Sequence, residues 1–246
     1  MTTTIALANR KGGVGKTTLS VAIATRLAER DPVLLVDLDS QANATESLGI
    51  PLQPQVSKWL QYSDPPTLAS IGKLDVLPGD EHTQDLDAVL ARRGIGLVRR
   101  QLAPLTQYRW IVLDCPPSIS NLARAGVCAA DFVLCPTIPE YLSLAGVRQL
   151  VRLIDEIRRD HGATTRLMGI QPNKVDWRTN DHKTHLTNLV KAFGAWGKDG
   201  GLVWPPLRQS IAVAVASTAG RPVWGALDGK ILIEWENMVQ RVRQHA

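Results

Sequence analysis

The chain has 246 residues and a formal net charge of +5, from 28 Lys and Arg against 23 Asp and Glu. A hydrophobic share of 44% and a charged share of 21% are ordinary for a globular protein and exclude extensive disorder. No apolar run approaches the roughly 20 residues that cross a bilayer, the first residues lack the pattern of a secretory leader, and Cys115, Cys128 and Cys135 have no metal-binding spacing, which favours a reduced cytosolic chain with buried, inert thiols.

Short apolar runs alternate with helical patterns along the whole length. Strands are expected at 4–8, 32–38, 74–77, 109–114, 131–135, 167–172 and 202–204, and helices near 17–30, 82–91, 95–103, 120–129, 141–160, 182–195 and 230–244. Continuous apolar runs such as Val33–Val36 and Trp110–Leu113 suit strands covered on both faces. The alternation predicts an α/β fold with a doubly wound, mainly parallel sheet and helices on both faces. The segments 61–66 and 196–201 read as turns, too short to divide the chain, so one domain over 1–246 is expected. In the last helix Ile231, Trp235, Met238 and Val242 share one face. A core-facing helix is the favoured reading and a membrane-surface helix the alternative.

The strongest chemical signal lies between the first strand and the first helix. It reads Asn9-Arg10-Lys11-Gly12-Gly13-Val14-Gly15-Lys16-Thr17-Thr18. Glycines at 12, 13 and 15 let the backbone turn its N–H groups onto phosphate oxygens, and the following helix adds its positive end. Lys16 supplies a point charge for β- and γ-phosphates, and Thr17 offers a hydroxyl to Mg²⁺. The general pattern G-x-x-x-x-G-K-[ST] wants glycine where Arg10 stands, and Lys11 is a second lysine at the loop's start. Asp114 ends an apolar strand at the carboxyl edge of the sheet, where open α/β sheets bind ligands. A carboxylate there can hold Mg²⁺ through its water shell, with a loop-capping role as the alternative. Asp39 reaches the same edge just past the second strand, and Asp37 is the weaker candidate. Asn173 ends the 167–172 strand and can hydrogen-bond adenine, with Pro205 and Pro206 at the same edge. A turn asparagine and loop prolines are the plain alternative. His182 and His185, three apart on an expected helix, read as surface histidines.

The string from Asn9 to Thr18 resembles the deviant Walker A ATPases, and specifically the ParA-type partition ATPases, whose loop is of the form NxKGGVGKTT. Val33–Thr45 is similar to that family's switch I string LLVDxDPQGNAT, with Ser40 for proline and Ala42 for glycine. Ile111–Ser118 is similar to its Walker B and switch II, and Pro136–Gly146 resembles a further family segment, so the resemblance runs along essentially the full chain. It implies an ATPase switch that binds ATP or ADP with Mg²⁺. The metal is then held by Thr17, and by Asp39 and Asp114 through water. Asp39 positions or activates the attacking water, and Lys11 crosses to the nucleotide of a second subunit, so that Lys11, Lys16 and Asp39 are the catalytic set. ATP occupancy is thereby coupled to a sandwich homodimer.

Charge is unevenly placed. Residues 146–246 carry 15 Lys and Arg against 9 Asp and Glu, and the rest of the chain 13 against 14. On its own this split fits either a polyanionic partner or scattered surface charge. Members of the resembling family without an N-terminal helix-turn-helix domain, which is not expected here, bind nonspecific DNA through this half. Asp176-Trp177-Arg178-Thr179 resembles the family's D-x-R-T segment and carries over Arg178. The family's P-R-N-V-R site meets Leu207-Arg208-Gln209-Ser210-Ile211-Ala212, where the last arginine is missing. Arg208 is a substitute, with Lys183, Lys191 and Arg221 as further candidates. The expected partners are DNA, a ParB-like adaptor that stimulates hydrolysis, and a second copy, without a membrane, in a cytoplasmic, nucleoid-associated protein. Two other classes remain in view: a MinD-like membrane-positioning ATPase, which needs an amphipathic tail, and a metabolic ATP-dependent ligase, which needs an acceptor site.

Overall fold

The computed structural model describes residues 1–63, 65–118, 120–197, 200–219 and 221–245. Asp64, Lys198 and Asp199, which belong to the two expected turns, lie outside the described residues.

Seven strands form one sheet: β1 (Thr3–Leu7), β2 (Val33–Asp37), β3 (Ala69–Ile71), β4 (Leu74–Leu77), β5 (Trp110–Asp114), β6 (Phe132–Thr137) and β7 (Arg166–Pro172). Their order is β3-β4-β2-β5-β1-β6-β7. All pairs are parallel except β3 with β4, as the apolar runs predict. All five residues of β1, β2 and β5 are buried, because helices cover both faces. The helices are α1 (Lys16–Ala28), α2 (Asn43–Glu46), α3 (Val56–Tyr62), α4 (Leu86–Arg93), α5 (Leu97–Leu102), α6 (Asn121–Ala129), α7 (Ser143–His161), α8 (Asn180–Phe193), α9 (Ile211–Thr218) and α10 (Gly229–Gln244).

The two-residue period of the strands divides the core. Ala6, Leu34, Val36, Ile111 and Leu113 face the side packed by α3–α8. Ile5, Leu7, Val33, Leu35 and Val112 face the side packed by α1, α9 and α10. On α7 the buried residues are Ser143, Val147, Leu150, Ile154 and Ile157, a stripe at helical spacing that turns Arg148, Arg152 and Arg158 outward. On α10, Trp235, Met238 and Val242 are buried and Ile231 packs on their cluster. The apolar face of the last helix is therefore core. No described helix is long and apolar enough to cross a membrane.

The expected strand at 202–204 shrinks to isolated parallel bridges at Val203, to Ile170 and to Ala195, the first flanked by Ile170 N–H to Leu202 O at 2.8 Å and Trp204 N–H to Ile170 O at 2.9 Å. Pro205 follows at once and has no N–H with which to continue the ladder. Trp204 is itself buried, with its indole against Gly169, where a Cβ would collide with the ring. Gly169→Ala is expected to cost about 1–3 kcal/mol through overpacking. Thermal unfolding checks this, and an unchanged midpoint contradicts it.

Between β1 and β2 the chain passes over β5, and β1 lies between β5 and β6. The order thus reverses at β1, and the crevice outside its carboxyl end is where doubly wound sheets place ligands. The loop 8–15 occupies that point.

Candidate nucleotide site

Gly13 and Gly15 adopt φ of 75° and 96°, a left-handed backbone that a side chain rarely tolerates. Gly15 is also crowded: a Cβ there would collide with the Asn173 amide. Gly12 and Val14 complete the bend, Val14 fully buried. Three side chains, Asn9 within the loop and Asn173 and Lys174 outside it, fix its shape. Asn9 Nδ2 donates to Pro136 O at 2.7 Å, and its Oδ1 accepts from Lys11 N–H at 3.0 Å. Asn173 Nδ2 donates to Val14 O at 2.9 Å. Lys174 Nζ donates to Gly13 O at 2.8 Å. The loop is therefore held to the ends of β6 and β7 before any ligand arrives, an arrangement that lowers the ordering cost of binding.

Lys16 begins α1 and is buried, its Nζ donating to Lys11 O at 3.3 Å. Burial pushes its ammonium below the ordinary lysine range, against the opposing pull of Asp114 and Asp39. Thr17 and Thr18 follow in the first turn, with Thr18 Oγ1 3.3 Å from Ser217 Oγ. Asp37 and Asp114 stand side by side in the β2–β5 register and are wholly buried. Burial pushes both carboxyls up, and for Asp114 the charge of Asp37 adds to it, while the Thr17 and Ser20 hydroxyls and Lys16 pull the other way.

Their bonding separates the two acids. Asp37 accepts from Asp39 N–H on one oxygen and from Thr45 N–H and Oγ1 on the other, at 2.9 and 2.8 Å. Thr45 Oγ1 in turn accepts from Gly79 N–H. Asp37 thus binds the start of α2 to the end of β4. Asp114 takes Ser20 Oγ on Oδ1 at 2.8 Å, and its buried Oδ2 has no hydrogen-bond partner. A buried, unpartnered carboxylate oxygen beside a threonine hydroxyl is hard-oxygen chemistry that suits Mg²⁺. Among the described residues no group of three or more His, Cys, Asp or Glu forms a metal cluster, and Mg²⁺ that relies on waters and phosphates needs none. Asp39 is buried, with Oδ1 accepting from Gln41 N–H at 3.0 Å. Ala42 follows at φ 49°, so the alanine at the switch position holds a left-handed turn at a cost of roughly 1–2 kcal/mol.

Lys11 points out of the crevice, its ammonium paired with the Glu140 carboxylate. Beside Thr18 and Asn173 lies a cavity of about 350 Å³ lined also by Gln209, Ser210, Ile211 and Ala214. Pro205 and Pro206 do not line it. Pro205 instead accepts Gln171 Nε2 at 3.0 Å. Nothing in the local sequence marked 209–214 as the cavity wall, because α9 is apolar on all sides and shows no period.

Of the basic candidates, Arg178 and Arg208 lie on neighbouring segments joined by the Val175–Arg208 bridge. Each is held by its own carboxylate: Arg178 by Asp176 at 2.9 and 2.8 Å, and Arg208 by Glu234 at 2.8 and 2.6 Å. Lys183, Lys191 and Arg221 are exposed. Where the second basic site is expected, Ile211 is 82% exposed and Val215 62%. The histidines do not converge: His182 Nδ1 accepts Asp176 N–H, and His185 pairs with Asp181. The three cysteines are buried, and burial pushes each thiol up.

A family profile described as an AAA domain matches residues 2–167. The chromosome-partitioning ATPase Soj of Thermus thermophilus is 34% identical over 222 residues, spanning 89% of this chain and 86% of that protein. The chromosome partitioning protein ParA of Caulobacter vibrioides is 31% identical over 234 residues, spanning 89% and 85%. Among solved structures, cobyrinic acid a,c-diamide synthase of Mycobacterium smegmatis, with bound ATP analog and magnesium, superposes with a TM-score of 0.83 at 27% identity, covering 100% of this chain and 95% of that one. With the loop, the paired acids and the parallel sheet in place, these likenesses show that the chain belongs to the ParA-type partition ATPases, within the AAA domain family.

Proposed function

We propose that this chain is an ATP-driven DNA partition switch, with ATP or ADP and Mg²⁺ as the ligands of the 8–18 loop. The observation that carries the reading is the buried row Lys16, Asp114 and Asp37 beneath a pre-shaped glycine loop, with a second lysine, Lys11, turned outward. Loop N–H groups and Lys16 would hold the phosphates, and Thr17, Asp114 and Asp39 would hold the metal. Bound Mg²⁺ supplies neutralisation of the charge that builds on the phosphates. Asp39 orients the attacking water. Asn173, Gln209 and Ser210, which line the cavity beside the loop, receive the base and ribose in this reading. Lys11 reaches the γ-phosphate held by a second copy, which ties dimerisation to ATP. The dimer binds nonspecific DNA through Arg178, Lys183, Arg208 and Arg221, and a ParB-like adaptor stimulates hydrolysis and release in the cytoplasm, at the nucleoid.

Because Arg178 and Arg208 are already paired, phosphate contact exchanges one carboxylate for one phosphate and is worth most at low salt. Gel retardation with ATP and Mg²⁺ tests this: DNA is expected to shift at low salt, and Arg178→Ala is expected to weaken binding uniformly and lower the salt slope by about 1. No shift at low salt contradicts the DNA reading.

The name of the Mycobacterium smegmatis neighbour favours one other reading, an ATP-dependent amide-forming ligase. Such an enzyme spends ATP in proportion to a carboxylate acceptor. Turnover that rises with DNA in the absence of any acceptor excludes it.

A further inference from the structure

The segment Pro136–Gly146 supplies one residue that the proposed function leaves unused. Glu140 pairs with Lys11 across 129 positions of sequence, both side chains 42% exposed. We infer that Glu140 is a positioning residue for Lys11: it holds the ammonium on the subunit's own surface and sets the protein concentration at which ATP drives dimerisation. This rests on the proposed reading that Lys11 acts on the nucleotide of a second copy.

The backbone of Lys11 is fixed at both ends. Its N–H donates to Asn9 Oδ1, and its carbonyl accepts Lys16 Nζ. Asn9 is itself tied to Pro136, four residues before Glu140. Glu140 sits in a turn closed by its own N–H to Ile138 O at 2.8 Å and by Ser143 N–H to its carbonyl at 2.9 Å, at the start of α7. The two main chains thus share one frame, and only the side chains are free to swing. A lysine has one ammonium, so pairing with Glu140 and reaching a γ-phosphate in another subunit compete. Next to Glu140, Tyr141 and Leu142 are 83% and 63% exposed, an apolar step suited to being covered when two copies meet.

The magnitude is that of an exposed pair, which changes an equilibrium by about 1.4- to 5-fold. Glu140 therefore sets a threshold and does not lock the monomer.

The test is light scattering of the full chain across protein concentration, with ATP and Mg²⁺, for wild type and Glu140→Gln at low and high salt. Wild type is expected to dimerise. Each dimer breaks two such pairs, so Glu140→Gln is expected to reach half-dimer at about 2- to 25-fold lower protein concentration at low salt. The two curves are expected to converge at high salt, where the pair is screened, a dependence that a purely structural role would not show. A Glu140→Gln midpoint equal to or above that of wild type at low salt overturns the threshold alone. Absence of any wild-type dimer overturns the reading of Lys11, and the threshold with it.

Discussion

Lys11→Ala is expected to abolish the ATP-dependent dimer while leaving a folded monomer. The side chain is nearly half exposed and its ion pair with Glu140 is a surface one, so its loss costs the fold little. The two hydrogen bonds that shape the loop at this position use the main chain, not the side chain, and survive truncation. The loss falls instead on the trans contact. A cation delivered by a partner to the transferring phosphoryl group is worth about 10³–10⁵ in rate, and here the same contact carries dimerisation. Light scattering with ATP and Mg²⁺, beside circular dichroism, separates the two effects. An undiminished ATP dimer contradicts the role, and an unfolded variant contradicts the structural part.

Asp39→Asn is expected to lower ATP turnover by about 10²–10⁴ and to leave ATP affinity within a few-fold of wild type. Asparagine keeps an oxygen for the turn that Asp39 closes with Gln41 N–H, so the local backbone is retained. What it loses is the charge that orients and accepts from an attacking water. Asp37→Asn, two residues away, is expected to behave in the opposite way. Asp37 accepts three hydrogen bonds from Asp39 and Thr45, and an amide nitrogen there faces donors, leaving buried groups unpaired. Its effect is expected in thermal unfolding. Single-turnover hydrolysis and melting curves on both variants decide the assignment: a slow but stable Asp37→Asn together with an unstable, active Asp39→Asn reverses it.

The parallel sheet was legible because β2 and β5 are covered on both faces and so carry the continuous apolar runs Val33–Val36 and Trp110–Leu113. β3 was not: Ala69–Ile71 is a three-residue edge strand whose Ser70 and Ile71 are exposed, too short to show a period. Residues 202–204 carry strand-like composition, yet Pro205 interrupts the ladder and leaves only isolated bridges there. Helix α9 is apolar on every side, so no moment marks it. Within the site, the residues from Gly12 to Thr18 were legible because phosphate binding demands their order along the chain. The contacts that give the loop its shape were not, since Asn173 meets Val14 across 159 positions and Glu140 meets Lys11 across 129. The basic half was legible only as a total. That Asp176 and Glu234 already hold Arg178 and Arg208 is a property of the fold, and it changes what those arginines have to exchange in order to bind DNA.

Co-sedimentation of the chain with DNA in the presence of ATP, ADP or no nucleotide, with Mg²⁺ throughout and at low salt, tests the central claim most directly. The protein is expected to pellet with DNA in ATP and to stay in solution in the other two conditions. Equal recovery with DNA in all three, or none in any, contradicts it.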